Sequence, residues 1–135
     1  CTYLKQRVNE ENLHHRITFV GKVEDAAQEF FAADIFVLPS HFEGYGMAFA
    51  EALSFGLPII GARTGAVPDV VPASAGILIP PGDIKALARA LETLLTNPAL
   101  RRELQIGAQA AARSLPTWSD CANEVVQLIN KVKIL

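Results

Sequence analysis

Ile35-Phe36-Val37-Leu38 is apolar at every position and stops at Pro39-Ser40. A strand with one wet face alternates apolar and polar residues. An unbroken apolar run bounded by breakers instead fits a strand buried on both faces, as in parallel sheets covered by helices. Similar runs recur at Pro58-Ile59-Ile60-Gly61 and at Gly76-Ile77-Leu78-Ile79, the latter closed by Pro80-Pro81-Gly82. Ile17-Thr18-Phe19-Val20 is β-branched and aromatic, ends at Gly21, and reads as a fourth strand.

Helical patterns fill the intervals. Thr2 to Glu11 carries Tyr3, Leu4 and Val8, and Glu24 to Ala33 carries Ala26, Ala27, Phe30 and Phe31. Gly46 to Phe55 is a further helix, ended by Gly56. From Asp83 onward the chain is helical. Asp83 is an N-cap, and Ile84, Leu87, Ala88, Leu91, Leu94 and Leu95 form one face. Asn97-Pro98 caps and opens a helix through about Arg113. Thr117 with Asp120 resembles a capping box using Asp. The helix it starts has Trp118, Cys121, Ala122, Val125, Leu128, Ile129 and Val132 on its apolar face, with Trp118 as anchor and Cys121 as a small core residue. Strand alternating with helix predicts an α/β layered fold with a mostly parallel sheet, with the last three helices packed on a face.

The 135 residues suffice for one core, and half of them are apolar. Twelve basic residues against 14 acidic leave a net charge of −2, so no basic stripe points to nucleic acid. An aromatic share of 7% speaks against a base-stacking module. Cys1 and Cys121 form neither a disulfide framework nor a metal spacing, which fits a reducing compartment. No apolar run reaches the roughly 18 residues needed to span a bilayer, and there is no signal-peptide pattern. The chain begins with Cys, not Met, and runs straight into a helical pattern, as the later part of a longer protein would.

The chemistry concentrates between Pro39 and Leu53. A buried strand ends, a loop containing Gly44 and Gly46 follows, and a helix begins. Open α/β sheets bind ligands at the carboxyl ends of their strands, beside such loops. Glycine permits positive φ and close approach of a ligand. The helix start offers unpaired N–H groups to an anion such as phosphate. Glu51 lies in a helix that is apolar nearly all round, so the sequence predicts burial, which is costly for a carboxylate without hydrogen bonds. From Gly46 to Glu51 is about 7 Å of helix, near the span from a nucleotide's phosphates to its ribose hydroxyls. On the residues alone, Glu51 is equally a helix-edge residue facing water. Glu43 is either a partner of the helix dipole or a carboxylate reaching the hydroxyls of a sugar on the phosphate.

Glu43 and Glu51 are separated by seven residues. Glu43-Gly-Tyr-Gly-Met-Ala-Phe-Ala-Glu-Ala52, followed by Ser54-Phe55-Gly56-Leu57-Pro58-Ile59-Ile60, resembles the Glu-x7-Glu segment of family 4 retaining glycosyltransferases. The resemblance covers roughly residues 13 to 132. It includes Ile17 to Val23, the run from Ala33 to Ser40, Thr64-Gly65-Ala66-Val67-Pro68-Asp69, and Gly76 to Asp83. It departs at Ala66, where a second glycine is common, at Asp69, where Glu is common, and at Tyr45, where Phe is usual. The Arg and Lys that the family sets against the pyrophosphate have no counterpart. Lys22 and Arg63 are the only bases nearby.

The resemblance implies roles residue by residue. Glu43, the catalytic candidate, would contact the donor sugar, and Glu51 the ribose. Gly44, Tyr45, Gly46 and Met47 would meet the sugar and distal phosphate through backbone N–H groups. Gly21 and Val23 would lie against the base, and Thr64 and Gly65 would line the phosphate pocket. It implies transfer of a hexose from a UDP-, GDP- or ADP-sugar to an acceptor hydroxyl, with retention and without a metal or other cofactor. The acceptor, a glycan, lipid or small molecule, would be held by a separate N-terminal domain of a two-domain GT-B fold. A cytoplasmic location follows, with the membrane face as a further place. Residues 1–135 would be one incomplete donor domain with a partial Rossmann-like parallel sheet, 117–135 crossing toward the acceptor domain, and would be inactive alone. A nucleotide-sugar epimerase or phosphorylase, or a binding module without transfer activity, are the alternatives.

The whole sheet of such a domain has the order 3-2-1-4-5-6. If the four predicted strands are 3, 4, 5 and 6, two are absent between the first and second. Ile17–Val20 would then not pair with Ile35–Leu38 as in an intact domain. The sheet would break there, rearrange, or be completed by strand exchange with another copy.

Overall fold

The computed structural model describes residues 2–132. Its elements run α1 (Thr2–Glu10), α2 (Ala27–Ala32), β1 (Phe36–Leu38), α3 (Met47–Ser54), β2 (Ile59–Ala62), α4 (Val67–Val70), β3 (Gly76–Ile79), α5 (Ile84–Thr96), α6 (Pro98–Ala112) and α7 (Trp118–Val132). The three strands form one parallel sheet in the order β1-β2-β3. Phe36 pairs with Ile59 and Ile59 with Gly76, so the strands start level and end level.

β2 is buried at all four positions. Its period of two sends Ile59 into a core with Phe49, Ala52, Leu53, Leu57, Val67 and Val71. Ile60 enters a second core, with Ile79, Ala90, Leu94 and Leu104. Helices therefore cover both faces, α3 and α4 on one and α5 on the other. α6 bridges them, with Leu104 in one core and Ala108 in the other. An aromatic chain ties α2 to the first layer: Phe30 stacks on Phe55 at 5.4 Å and sits 5.7 Å from Phe36, which meets Phe49 edge-on at 5.6 Å.

Caps set the helix starts. Asp83 Oδ1 accepts from the Ala86 N–H at 2.8 Å, and Asn97 Oδ1 from the Leu100 N–H at 3.0 Å. Asp120 Oδ2 accepts from both the hydroxyl and the N–H of Thr117, and the Asp120 N–H returns a bond to the hydroxyl. That is the reciprocal box expected for α7.

Several expectations need correction. Ile17–Val20 is not a strand. Among the described residues nothing pairs with it, and Ile17, Phe19 and Val20 are exposed. A strand propensity without a neighbouring edge yields no ladder. β1 is only half-buried, because it has one neighbour and the hollow beyond it is open. α2 begins at Ala27, later than Glu24, where the Asp25 carboxylate accepts from the Ala27 N–H. On α5, Ile84, Ala88 and Leu95 are exposed, and Ala90 joins Leu87, Leu91 and Leu94 facing the sheet. α7 buries nothing among the described residues: Trp118 is 83% exposed and Cys121 is exposed and free. Neither is a core residue, because they meet the first loop and α3 only across an open hollow. Cys1 and residues 133–135 lie outside the described residues. No helix of the described residues is long and apolar enough to cross a membrane.

Phe49→Ala should destabilise the chain by about 3–5 kcal/mol in urea unfolding, as a fully buried aromatic does. Trp118→Ala should change stability by less than about 0.5 kcal/mol.

The two hydrogen bonds that Asp120 accepts hold its carboxyl below the ordinary 3.8, the Thr117 hydroxyl contributing more than the Thr117 N–H. A depressed folded value means the cap stabilises α7 above the unfolded pKa and is lost as pH falls through the lower folded value. A carbon-detected titration of Asp120 should therefore give a midpoint below 3.8. In Thr117→Val the midpoint should rise toward 3.8, and an unchanged midpoint would refute the hydroxyl's role.

Candidate functional site

Because the strands are parallel and level, the three β-to-α loops leave the sheet at one end. These are residues 39–46 after β1, 63–66 after β2 and 80–83 after β3. That end is where ligands bind in open α/β sheets.

The first loop enters α3 through Gly46, whose φ of 79° lies in the left-handed region. A Cβ at Gly46 would also fall 2.9 Å from the Phe49 ring. The Phe49 and Ala50 N–H groups return to the Gly46 carbonyl. The Met47 and Ala48 N–H groups have no acceptor among the described residues, and no side chain caps the helix. Two N–H donors thus stand without an acceptor among the described residues at the positive end of α3.

Loops one and two are knitted together by three successive residues. The Thr64 hydroxyl donates to the His41 carbonyl at 3.0 Å. Gly65 has φ 52°, and a Cβ there would collide with the Glu43 carbonyl oxygen. The Ala66 N–H donates to the Gly44 carbonyl at 3.2 Å. Loop three approaches from the far side, where the Gly82 Cβ position is 3.5 Å from His41 Cε1.

The structure thus brings Glu43, Gly44, Thr64 and Gly65 into direct contact. Glu43 is half-buried, and Tyr45 and Met47 are exposed beside it along the chain. Glu51 is exposed, against the expectation of burial. α3 buries Phe49, Ala52 and Leu53, and the next turn toward solvent carries Met47, Ala50 and Glu51. An apolar surround in sequence did not mean a surround in space, since nothing described covers that side of α3. Gly21 and Val23 lie elsewhere. With Val20, Phe30, Phe36 and Leu57 they line a separate hollow of about 360 Å³. It shares no lining residue with the hollow beside the first loop.

That second hollow, about 450 Å³, went unread in the sequence. Tyr45, Met47 and Ala50 form one wall, and Leu115, Pro116, Thr117, Trp118 and Cys121 the other. The i, i+3 spacing of Met47 and Ala50, along one edge of the buried stripe of α3, was the available signal. Among the described residues no group of three His, Cys, Asp or Glu side chains could hold a metal ion.

The family model described as glycosyl transferases group 1 matches residues 2–97. The chain belongs to the group 1 glycosyltransferases. This group 1 glycosyltransferase chain is 31% identical over 121 residues to the O-antigen chain mannosyltransferase B of Escherichia coli, covering 88% of this chain and 30% of that protein. It superposes on the sucrose-phosphate synthase of Thermosynechococcus elongatus with a TM-score of 0.84 and 34% identity, covering 97% of this chain and 34% of the other. Anabaena Alr3699/HepE, solved in complex with UDP, superposes with a TM-score of 0.82 and 25% identity, covering 99% and 36%. The chain spans about a third of the length of these relatives. Its parallel sheet with flanking helices is the C-terminal-domain architecture of GT-B glycosyltransferases.

Gly65→Ala must place a methyl group into the Glu43 carbonyl at a left-handed φ. It should cost about 1–2 kcal/mol for the conformation alone, and more for the displaced loop. Gly44→Ala, which meets no atom within 4 Å, should be nearly neutral. Chemical unfolding of the two variants checks the contrast, and equal midpoints would refute it.

Proposed function

We propose that this chain is the donor-binding part of a family 4 retaining glycosyltransferase. The reading rests on one observation above the rest. A loop holding Glu43 leaves the carboxyl end of β1 and enters α3 with two N–H groups free. The relative Anabaena Alr3699/HepE was solved with UDP and also with UDP-glucose, which supports a nucleoside diphosphate sugar as the ligand.

In this reading, the N–H groups of Gly44 to Met47 meet the sugar and distal phosphate. Glu43 accepts from the hydroxyls of the transferred sugar, and Glu51 accepts from the ribose diol. Thr64 and Gly65 hold the first loop beside the phosphates. An exposed Glu51 supports its role, since a carboxylate must be reachable to accept from a diol. As the bond from the anomeric carbon to the phosphate breaks, negative charge builds on the departing diphosphate. Preorganised N–H donors at a helix start stabilise that charge most when it is largest. The acceptor hydroxyl attacks the same face, its proton passing to the departing phosphate oxygen, and anomeric configuration is kept. No metal is assigned to the reaction.

The acceptor surface and an Arg/Lys clamp on the pyrophosphate belong, in this reading, to residues other than these. Residues 1–135 then form an incomplete donor domain, 117–135 reach toward the acceptor domain, and the chain binds donor without turnover. The exposed free thiol of Cys121 fits a cytoplasmic setting, including the cytoplasmic face of the membrane.

Calorimetric titration of the chain with UDP, GDP and ADP, and with their sugar conjugates, tests the reading. One nucleotide pair should bind. Glu51→Ala should weaken the bare nucleotide about tenfold, the size of a lost hydrogen bond to a charged group. Glu43→Gln should weaken the sugar conjugate and spare the bare nucleotide. Absence of binding by any of the three pairs, or measurable transfer by the chain alone, would overturn it.

A further inference from the structure

The loop carrying Glu43 does not hold its own shape. Among the described residues, the main chain from His41 to Tyr45 has two hydrogen bonds, and both come from the loop after β2. The Thr64 hydroxyl takes the His41 carbonyl, and the Ala66 N–H takes the Gly44 carbonyl. Between them, Gly65 lies so close to the Glu43 carbonyl that no side chain fits. The bracing loop, by contrast, is anchored at both ends. The Arg63 N–H binds the Ile79 carbonyl at 2.8 Å, the Thr64 N–H binds the Ala62 carbonyl at 2.9 Å, and Val67 is fully buried.

A hydroxyl has one proton to donate. That of Thr64 is spent on the His41 carbonyl, which leaves only lone pairs toward an incoming anion, and lone pairs repel phosphate oxygens. We propose that Thr64 and Gly65 are positioning residues that fix the Glu43–Gly44 peptide and so aim the Glu43 carboxylate, and that the Thr64 side chain does not itself bind phosphate. The aiming rests on the reading of Glu43 as the sugar contact given above.

Two measurements on this chain test it, one needing no ligand. In the first, glutamyl endopeptidase cleavage after Glu43 is compared with cleavage after two exposed sites, Glu10 at the end of α1 and Glu11 just beyond it. Thr64→Val, which keeps the shape and removes the hydroxyl, should raise relative cleavage at Glu43 several-fold, and Thr64→Ser should restore it. Thr64→Ala should match Thr64→Val, which excludes crowding by the added methyl. Unchanged cleavage overturns the brace.

In the second, the nucleotide and nucleotide-sugar pairs UDP and UDP-glucose, GDP and GDP-mannose, and ADP and ADP-glucose are titrated by calorimetry. Thr64→Val should weaken the sugar conjugate about fivefold, the worth of one ordinary hydrogen bond, and move the bare nucleotide less than about twofold. Added to Glu43→Gln it should have no further effect, as expected of a residue acting through another. Equal weakening of nucleotide and conjugate would mean direct phosphate contact and overturn the proposal. If the parent chain binds none of the pairs while Thr64→Val still loosens the loop, the donor-binding reading fails and with it the aiming of Glu43, and the brace alone stands.

Discussion

The central strand of three must be satisfied on both faces, and that single demand organises the molecule. Ile59, Ile60, Gly61 and Ala62 are all buried, so β2 needs a partner on each edge and helices on each face. Ile59 and Ile60, adjacent in sequence, belong to different cores. Each half of the molecule is thus built outward from one side of a four-residue strand. At roughly 1.5–3 kcal/mol for each large aliphatic side chain fully buried, no surface contact competes with this. The parallel direction follows from the helical crossovers, and it brings all three β-to-α loops to the same end.

Much of this was readable in the sequence. β2 and β3, Asp83 and Asn97 as caps, the Thr117–Asp120 box and the glycine entry to α3 all rest on local chemistry. What failed was what depends on neighbours. Ile17–Val20 has the composition of a strand, and no strand lies beside it. Cys121 and Trp118 lie on an apolar stripe with nothing packed tightly against it, and periodicity measures the stripe but not the cover. Ile84 and Leu95 show the same limit from the other side. Both belong to the hydrophobic set of α5, yet Leu95 sits about a quarter-turn round from Leu94, and Ile84, on the face of Leu87, stands at the first residue of the helix beside the open loop end.

The candidate site was legible as a list of residues but not as an assembly. The Glu43 to Glu51 segment announced itself by its glycines and its paired carboxylates. The knit between the first two loops had no signature, since Thr64, Gly65 and Ala66 are twenty-odd residues away and look like any turn. Gly21 and Val23, expected beside the same ligand, line a different hollow. Without a strand at Ile17–Val20, the turn that follows it has no sheet edge to hold it near the loops.

The exposure of Glu51 changes the physical argument for it. A buried carboxylate would have required partners inside the fold to offset desolvation, and those partners would have competed with any diol. An exposed one has no such requirement. The apolar composition around it is explained separately, by the 49-52-53 stripe that buries α3 and by Met47 and Ala50 lining the open hollow. One helix therefore presents two faces with unrelated duties. The inner face fixes the position of the helix start against β2, and the outer face leaves Met47 and Glu51 exposed. Because the loop feeding that start is held from β2 as well, both flanks of the helix entrance are referenced to the same buried strand. Geometry at the site is then only as precise as the pairing of β1 with β2 at Leu38 and Gly61, the last rung before the loops diverge.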